Sequence, residues 1–493
     1  MNSSMKAKQA QLGDLMKDFI DRTLALYGDM KDRPVSTPAD TDALERISGG
    51  EIPAEGRPVE TVYSELLRDV YASTALAQHP RSFACIPGPA SLFSWMGDVM
   101  TSAYNPHASC KLNAPAAACV EKRLICWMCG LAGYPEATAG GLFVSGGSIA
   151  NLTALTAARD AKLTDAERAG AAVYISDQTH SSLAKALHII GFRADQIRKI
   201  PSDADFRMDL AALRAQIEAD ISAGCRPFAV IASAGTTNTG SVDPLPEIAG
   251  ICQSYGMWMH VDGAFGASIL LSSNERKRLD GIEYSDSLSW DAHKWMMQTY
   301  ACSVVLVRDQ ACLVNSFAAH PEYLKDAESD ADSVEFWDLG PELTRPARSL
   351  KLWSTLQVLG SRALGDTIDH ACAMAELAEE TLRRLPNWEI VSRAQFGIIN
   401  FRYVPENGAS PAIADQINRD IAREITASGF AQIFTTEIHG RKVLRICTLN
   451  PETTAEDITA TIERLNRSRV IAGTGSGGGT AHRILRPHTA QPA

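Results

Sequence analysis

The chain has no uninterrupted apolar stretch long enough to cross a bilayer. Its first ten residues, 1–10, lack the apolar core of a secretion signal. Both absences lead to the expectation of a cytoplasmic protein with no membrane partner. Positive charge is also in short supply: 47 Lys and Arg against 58 Asp and Glu give a formal net charge of -11. A surface that grips nucleic acid needs a basic face, so no nucleic-acid partner is expected. Cysteines are present but follow no pairing pattern. There are eleven of them, an odd number, set in apolar segments such as those around Cys252, Cys302 and Cys447. Reduced thiols are the simple reading. Cys126 and Cys129 have CxxC spacing, but no second CxxC accompanies them and their surroundings are apolar and helix-like. Buried core thiols therefore outweigh zinc or redox chemistry there.

What is present is a large chain of ordinary globular composition, 493 residues and 45% hydrophobic, enough for two to four domains. Leu12, Leu15, Met16, Phe19, Ile20, Thr23, Leu24 and Tyr27 recur at helical spacing and stop at Gly28. Residues 1–84 are expected to be a helical segment, packed on a second subunit or on the chain's own core. Between 85 and 345, apolar runs at 142–144, 172–175, 228–232, 257–261 and 302–307 alternate with helix-like stretches at 148–163 and 245–255. Near-continuous apolar runs suit strands buried on both faces, so an α/β domain with a mostly parallel sheet is expected. An acidic stretch at 325–333 reads as a long loop. Residues 346–468 read as a smaller α+β domain: a helix at 349–360, strands at 396–403, 430–438 and 443–449, and a helix after Thr453. The glycine-rich tail, 469–493, reads as disordered.

Ligands of a parallel sheet bind beyond the carboxyl ends of its strands. The run 142–144 leads into Ser145-Gly146-Gly147-Ser148 and then a helix. Glycines before a helix N-terminus make a phosphate cradle, or only a turn and cap. The run 172–175 leads to His180, which could face a planar ring, move a proton, or simply cap a helix. The run 228–232 leads to Thr236 and Thr237, and the run 257–261 to Asp262. A carboxylate at the end of an apolar strand needs a cation or hydrogen bonds. Asp291-Ala292-His293-Lys294 follows the next strand-like run. A partly buried lysine loses part of its preference for the charged form and becomes a nucleophilic amine, suited to holding an aldehyde such as pyridoxal phosphate. A metal site built from His180, His260, Asp262 and His293 would leave Lys294 and the glycines without a role.

These motifs in this order resemble the group II pyridoxal-phosphate-dependent amino-acid decarboxylases. The likeness runs from about residue 10 to about 465, through His79-Pro80-Arg81, Gln178-Thr179-His180, Ala234-Gly235-Thr236-Thr237, His260-Val261-Asp262-Gly263-Ala264 and Arg348-Ser349-Leu350-Lys351-Leu352-Trp353. The resemblance implies a type I aminotransferase-like fold and a homodimer with N-terminal helices wrapped on the partner. It implies that Lys294 holds pyridoxal 5'-phosphate as a Schiff base, that Asp262 pairs with the ring nitrogen and that His180 stacks on the ring. By the same resemblance Gly147, Ser148 and His293 hold the phosphate with help from Ser289, and Thr237 and Ala264 flank the ring. The implied substrate is a small L-amino acid, aromatic in preference to acidic or 2,4-diaminobutyrate.

The sequence departs from that family at one place. In its decarboxylases a loop tyrosine usually returns the proton to the product, but no tyrosine lies between Tyr323 and Arg348. The aromatic residues there are Phe336 and Trp337. Relatives with phenylalanine at the loop position let oxygen intercept the reaction and give an aldehyde. A decarboxylation-dependent aldehyde synthase is therefore the alternative expectation.

Overall fold

The computed structural model describes residues 3–86, 88–318, 334–406 and 409–474. The acidic loop expected at 325–333 and the tail from 475 lie outside these residues. The helix Ala455–Thr474 runs past residue 469, where the tail was expected to begin.

Seven strands form the main sheet: β1 (Gly140–Val144), β2 (Ala171–Ser176), β3 (Ile197–Ile200), β4 (Arg226–Ser233), β5 (Trp258–Asp262), β6 (Ser287–Trp290) and β7 (Ser303–Val307). Their order is β1-β7-β6-β5-β4-β2-β3. β7 runs antiparallel to both neighbours, and the other strands run parallel to one another. The apolar pattern of 302–307 could not reveal this reversal. Its cause is the connection: residues 291–302 form turns with no crossover helix, so the chain folds straight back. That turn carries His293 and Lys294.

Alternate strand residues feed opposite layers of core. Phe143, Tyr174, Val230, Val261 and Leu288 pack into one apolar cluster. Leu142, Val144, Val173, Ile175 and Ile231 pack into another. Each such side chain contributes roughly 1.5–3 kcal/mol by leaving water. The helices Gly147–Lys162 and Leu245–Tyr255 belong to these two layers, as the alternation of strands and helices predicts.

The smaller sheet has β8 (Trp388–Gln395), β9 (Ile398–Tyr403), β10 (Phe434–Ile438) and β11 (Arg441–Cys447), all antiparallel in the order β10-β11-β9-β8. Phe401, Ile446, Ile421 and Ile462 make its core together with Phe83. The N-terminal segment is thus stitched into the small domain. The helix expected at 349–360 extends over Ser349–Arg383, because apolar spacing resumes after a kink at Gly360 (φ 78°). Among the described residues no helix is long and apolar enough to cross a membrane.

Candidate active site

The strand ends converge on a cavity of about 250 Å³. Gly147, Ser148, His180, Thr237, Asp262, Ala264, His293 and Lys294 all line it. Ser289 does not: it is buried in β6, and its Oγ donates to Asp262 Oδ1 at 3.2 Å. It was expected beside the phosphate and instead braces the carboxylate one strand away, because β5 and β6 pair Asp262 with Ser289 in register.

β1 ends at Val144 and delivers Ser145 and Gly146, after which the helix Gly147–Lys162 begins with no side-chain cap. First-turn N–H groups left free of a cap are the ordinary receptor for a phosphate. A Cβ on Gly147 would stand 2.9 Å from Asp291 Oδ2 and 3.2 Å from Ala264 Cβ, so only glycine leaves this cradle open. Asp262 closes β5. Its Oδ1 also accepts the Ala264 N–H at 3.1 Å. His180 is the N-cap of the helix Ser181–Ile189, with Nδ1 2.8 Å from Ser182 Oγ, while its ring borders the cavity. The capping role and the site role therefore coexist in one residue.

Lys294 Nζ lies 3.0 Å from Asp291 Oδ2. Asp291 is buried, and its Oδ1 accepts from Ser303 Oγ at 2.5 Å. His293 Nδ1 lies 2.8 Å from the Cys302 carbonyl, and burial pushes this imidazole below its ordinary pKa. His260, weighed above as a metal ligand, is a core histidine. It bridges Ser287 Oγ at 2.8 Å and Asn151 Oδ1 at 3.0 Å, and burial lowers it to about 4. Among the described residues no group of His, Cys, Asp and Glu could hold a metal.

Sequence reasoning missed Asp291 and Tyr300 as site residues. The Asp291–Lys294 spacing of three was the signal for the first. Tyr300, which lines the cavity with its ring centre 5.2 Å from that of His293, had none, since it depends on the turn geometry. From the small domain, Arg445 Nη1 donates to the Thr237 carbonyl at 2.7 Å and fixes that loop.

The donor set suits pyridoxal phosphate: an open cradle for the phosphate, an amine for the aldehyde and a braced carboxylate for the ring nitrogen. The model of the pyridoxal-dependent decarboxylase conserved domain matches residues 43–404. The chain is 38% identical over 459 residues to an aromatic-L-amino-acid decarboxylase of Bacillus atrophaeus, covering 93% of this chain and 95% of that one. It is 30% identical to a phenylacetaldehyde synthase of Arabidopsis thaliana, over 90% of this chain and 92% of the other. Among solved structures, Oryza sativa TDC with PLP and tryptamine superposes with a TM-score of 0.88 at 29% identity, covering 96% and 99% of the two chains. The chain belongs to the pyridoxal-dependent decarboxylases. It is a pyridoxal-phosphate-dependent amino-acid decarboxylase of type I aminotransferase-like fold.

Proposed function

We propose that this enzyme converts an aromatic L-amino acid to its amine and carbon dioxide, as a cytoplasmic homodimer. The observation that carries the substrate class is the cavity lining. It presents the rings of His180 and Tyr300 and, among the described residues, no arginine. A second substrate carboxylate would find no guanidinium fork there, which disfavours an acidic amino acid. The similarity to the Bacillus atrophaeus enzyme supports the same reading.

When bound, pyridoxal phosphate supplies an aldehyde carbon for the substrate amine and a conjugated ring that accepts the electron pair released with carbon dioxide. The protein's part is to bind, orient and move protons. Gly147, Ser148 and His293 would hold the phosphate, and Lys294 would anchor the aldehyde carbon until the substrate amine displaces it. Asp262, braced by Ser289 and the Ala264 N–H, would keep a proton on the ring nitrogen. Thr237 and Ala264 would flank the ring, and His180 would cover it. With Nδ1 engaged by Ser182, His180 keeps Nε2 for returning a proton to the product carbon.

A specific observation bears on the aldehyde alternative. Phe336 is not in the cavity: its ring lies 5.1 Å from the Arg345 guanidinium, packed against the main-sheet core. Phe336 thus does not border the cavity of its own protomer, and the amine reading rests on the His180 proton route and on the similarity to the Bacillus atrophaeus decarboxylase. The homodimer is supported by apolar side chains left half exposed. Leu12, Met16, Ile20 and Leu24 lie along the first helix, and Met96 and Met100 line a groove with Leu350 and Trp353. All eleven cysteines are free thiols, in keeping with a reducing compartment.

The deciding experiment is a product assay on the cofactor-loaded enzyme with aromatic, acidic and diamino L-amino acids, with and without oxygen. Equal carbon dioxide and amine from an aromatic substrate, independent of oxygen, is the expected result. Aldehyde and peroxide that disappear without oxygen would overturn the amine reading. Turnover confined to acidic or diamino substrates would overturn the substrate class.

A further inference from the structure

Asp291 places a buried carboxylate at the rim of an anion cradle. Its Oδ2 lies 3.0 Å from Lys294 Nζ, 3.6 Å from His293 Nε2 and 2.9 Å from where a Cβ on Gly147 would stand. Its side chain is only 3% exposed. A phosphate held in that cradle faces a like charge at low dielectric, an arrangement that persists only with a cation between the two. The ammonium of Lys294 is such a cation. It is drawn off that carboxylate when Nζ bonds to the cofactor's aldehyde carbon. A carbon–nitrogen double bond forms, and the aldehyde oxygen leaves as water with two of the three ammonium protons. The third proton and the positive charge stay on Nζ, now held by the cofactor's carbon instead of by Asp291. The other basic group at the same carboxylate oxygen is His293.

We propose that Asp291 is a positioning residue that exchanges Lys294 for a protonated His293 as its cation when the cofactor is captured, so that capture takes up one proton. This rests on the phosphate occupying the Gly147 cradle. The groups facing His293 are Asp291 and Lys294 from its own turn, the Cys302 carbonyl, the Tyr300 ring and Lys351 from the helix Ser349–Arg383. Lys351 does not supply the missing charge, because Asp98 holds it at 2.8 Å. Burial pushes His293 below its ordinary pKa, toward the neutral form. A phosphate and a carboxylate released from Lys294 both act in the opposite direction, favouring the imidazolium.

The test is calorimetric titration of pyridoxal 5'-phosphate into cofactor-depleted enzyme at pH 8, in two buffers of different ionisation enthalpy. Schiff-base absorbance is read in parallel, so that ionisation of that nitrogen is seen separately. Wild type should take up close to one proton per cofactor, and its affinity should fall about tenfold per pH unit. Asp291→Asn is nearly isosteric. It should still form the Schiff base, with well under half the proton uptake and a flatter pH profile. In wild type, pyridoxamine 5'-phosphate carries the phosphate but no aldehyde and leaves Lys294 on Asp291, so it should bind with little uptake. Equal uptake by Asp291→Asn and wild type, or by the two cofactor forms, would overturn the proposal. So would failure of Asp291→Asn to form the Schiff base.

Discussion

Replacing Arg345 with methionine tests how the cradle is held in place. Arg345 and Glu121 are both fully buried and meet at 2.6 Å. The pair clamps Phe143 in β1: Arg345 Nη2 donates to the Phe143 carbonyl at 2.7 Å, and Glu121 Oε1 accepts the Phe143 N–H at 2.9 Å. Arg345 Nη1 also reaches the Ala108 carbonyl at 3.0 Å. Removing one partner strands the other charge, at a cost of roughly 3–5 kcal/mol. Arg345 Nε and Glu121 Oε2 make no hydrogen bond among the described residues, so part of the desolvation is uncompensated even in the intact pair. Replacing both by methionine removes the stranded charge but leaves the Phe143 N–H, the Phe143 carbonyl and the Ala108 carbonyl without these partners, so it should recover only part of the loss. The assay is the urea midpoint of the cofactor-saturated enzyme, read by tryptophan fluorescence, for Arg345→Met, Glu121→Met and the double variant. β1 ends one residue beyond Phe143, so both single variants should also bind pyridoxal phosphate at least about tenfold more weakly, a loss of about 1.4 kcal/mol. A double variant no more stable than the less stable single variant would refute the reasoning, as would a single variant that costs less than about 1 kcal/mol.

Gly147→Ala forces a methyl against Asp291 and Ala264. It should cost roughly 1–3 kcal/mol of cofactor affinity, about 5- to 150-fold, measured by fluorescence titration; unchanged affinity would remove the cradle from the site. His260 is held near 4 by burial, below the ordinary imidazole value near 6.5, so protonation favours the unfolded chain. Its contribution is complete above about pH 6.5 and declines as pH falls toward 4, by up to about 3 kcal/mol. Asp243, pushed up to about 6 by burial, has the opposite dependence: its contribution is present at low pH and is lost as pH rises from about 4 to 6. His260→Asn should therefore shift the slope of stability against pH between 4 and 6.5 by nearly one proton, in urea melts across that range; an unchanged slope would mean that His260 is not the titrating group. Met100→Glu puts a charge on the apolar groove and should yield monomers in sedimentation velocity; an unshifted dimer would place the subunit contact elsewhere.

The fold was legible wherever one physical demand dominated a segment. The strands buried on both faces announce themselves as runs of Val, Ile, Phe and Ala, and the helix Leu245–Tyr255 was found to the residue because its start, Pro246 in the first turn, and its stop, Gly256 in the left-handed region, are both local signals. β3 and β8 were missed because neither is a closed apolar run: Arg198 and Lys199 interrupt the first, Glu389 and Arg393 the second, and both strands lie at sheet edges. Lys294, Asp262 and the glycines could be named because strand ends and a helix start fix where each falls. Ser289 could not be placed, because its role depends on the register between β5 and β6, which no single segment encodes. Tyr300 and Asp291 were missed for a related reason. Both lie in the turn between β6 and an antiparallel β7, and that reversal follows from the absence of a crossover helix, not from any pattern within the strands. Lys294 itself sits on that turn. What sequence conveys about this site is thus its set of reactive groups, while the charge relations among Asp291, His293 and Lys294 emerge only once β7 folds back and sets Ser303 against the Asp291 carboxylate.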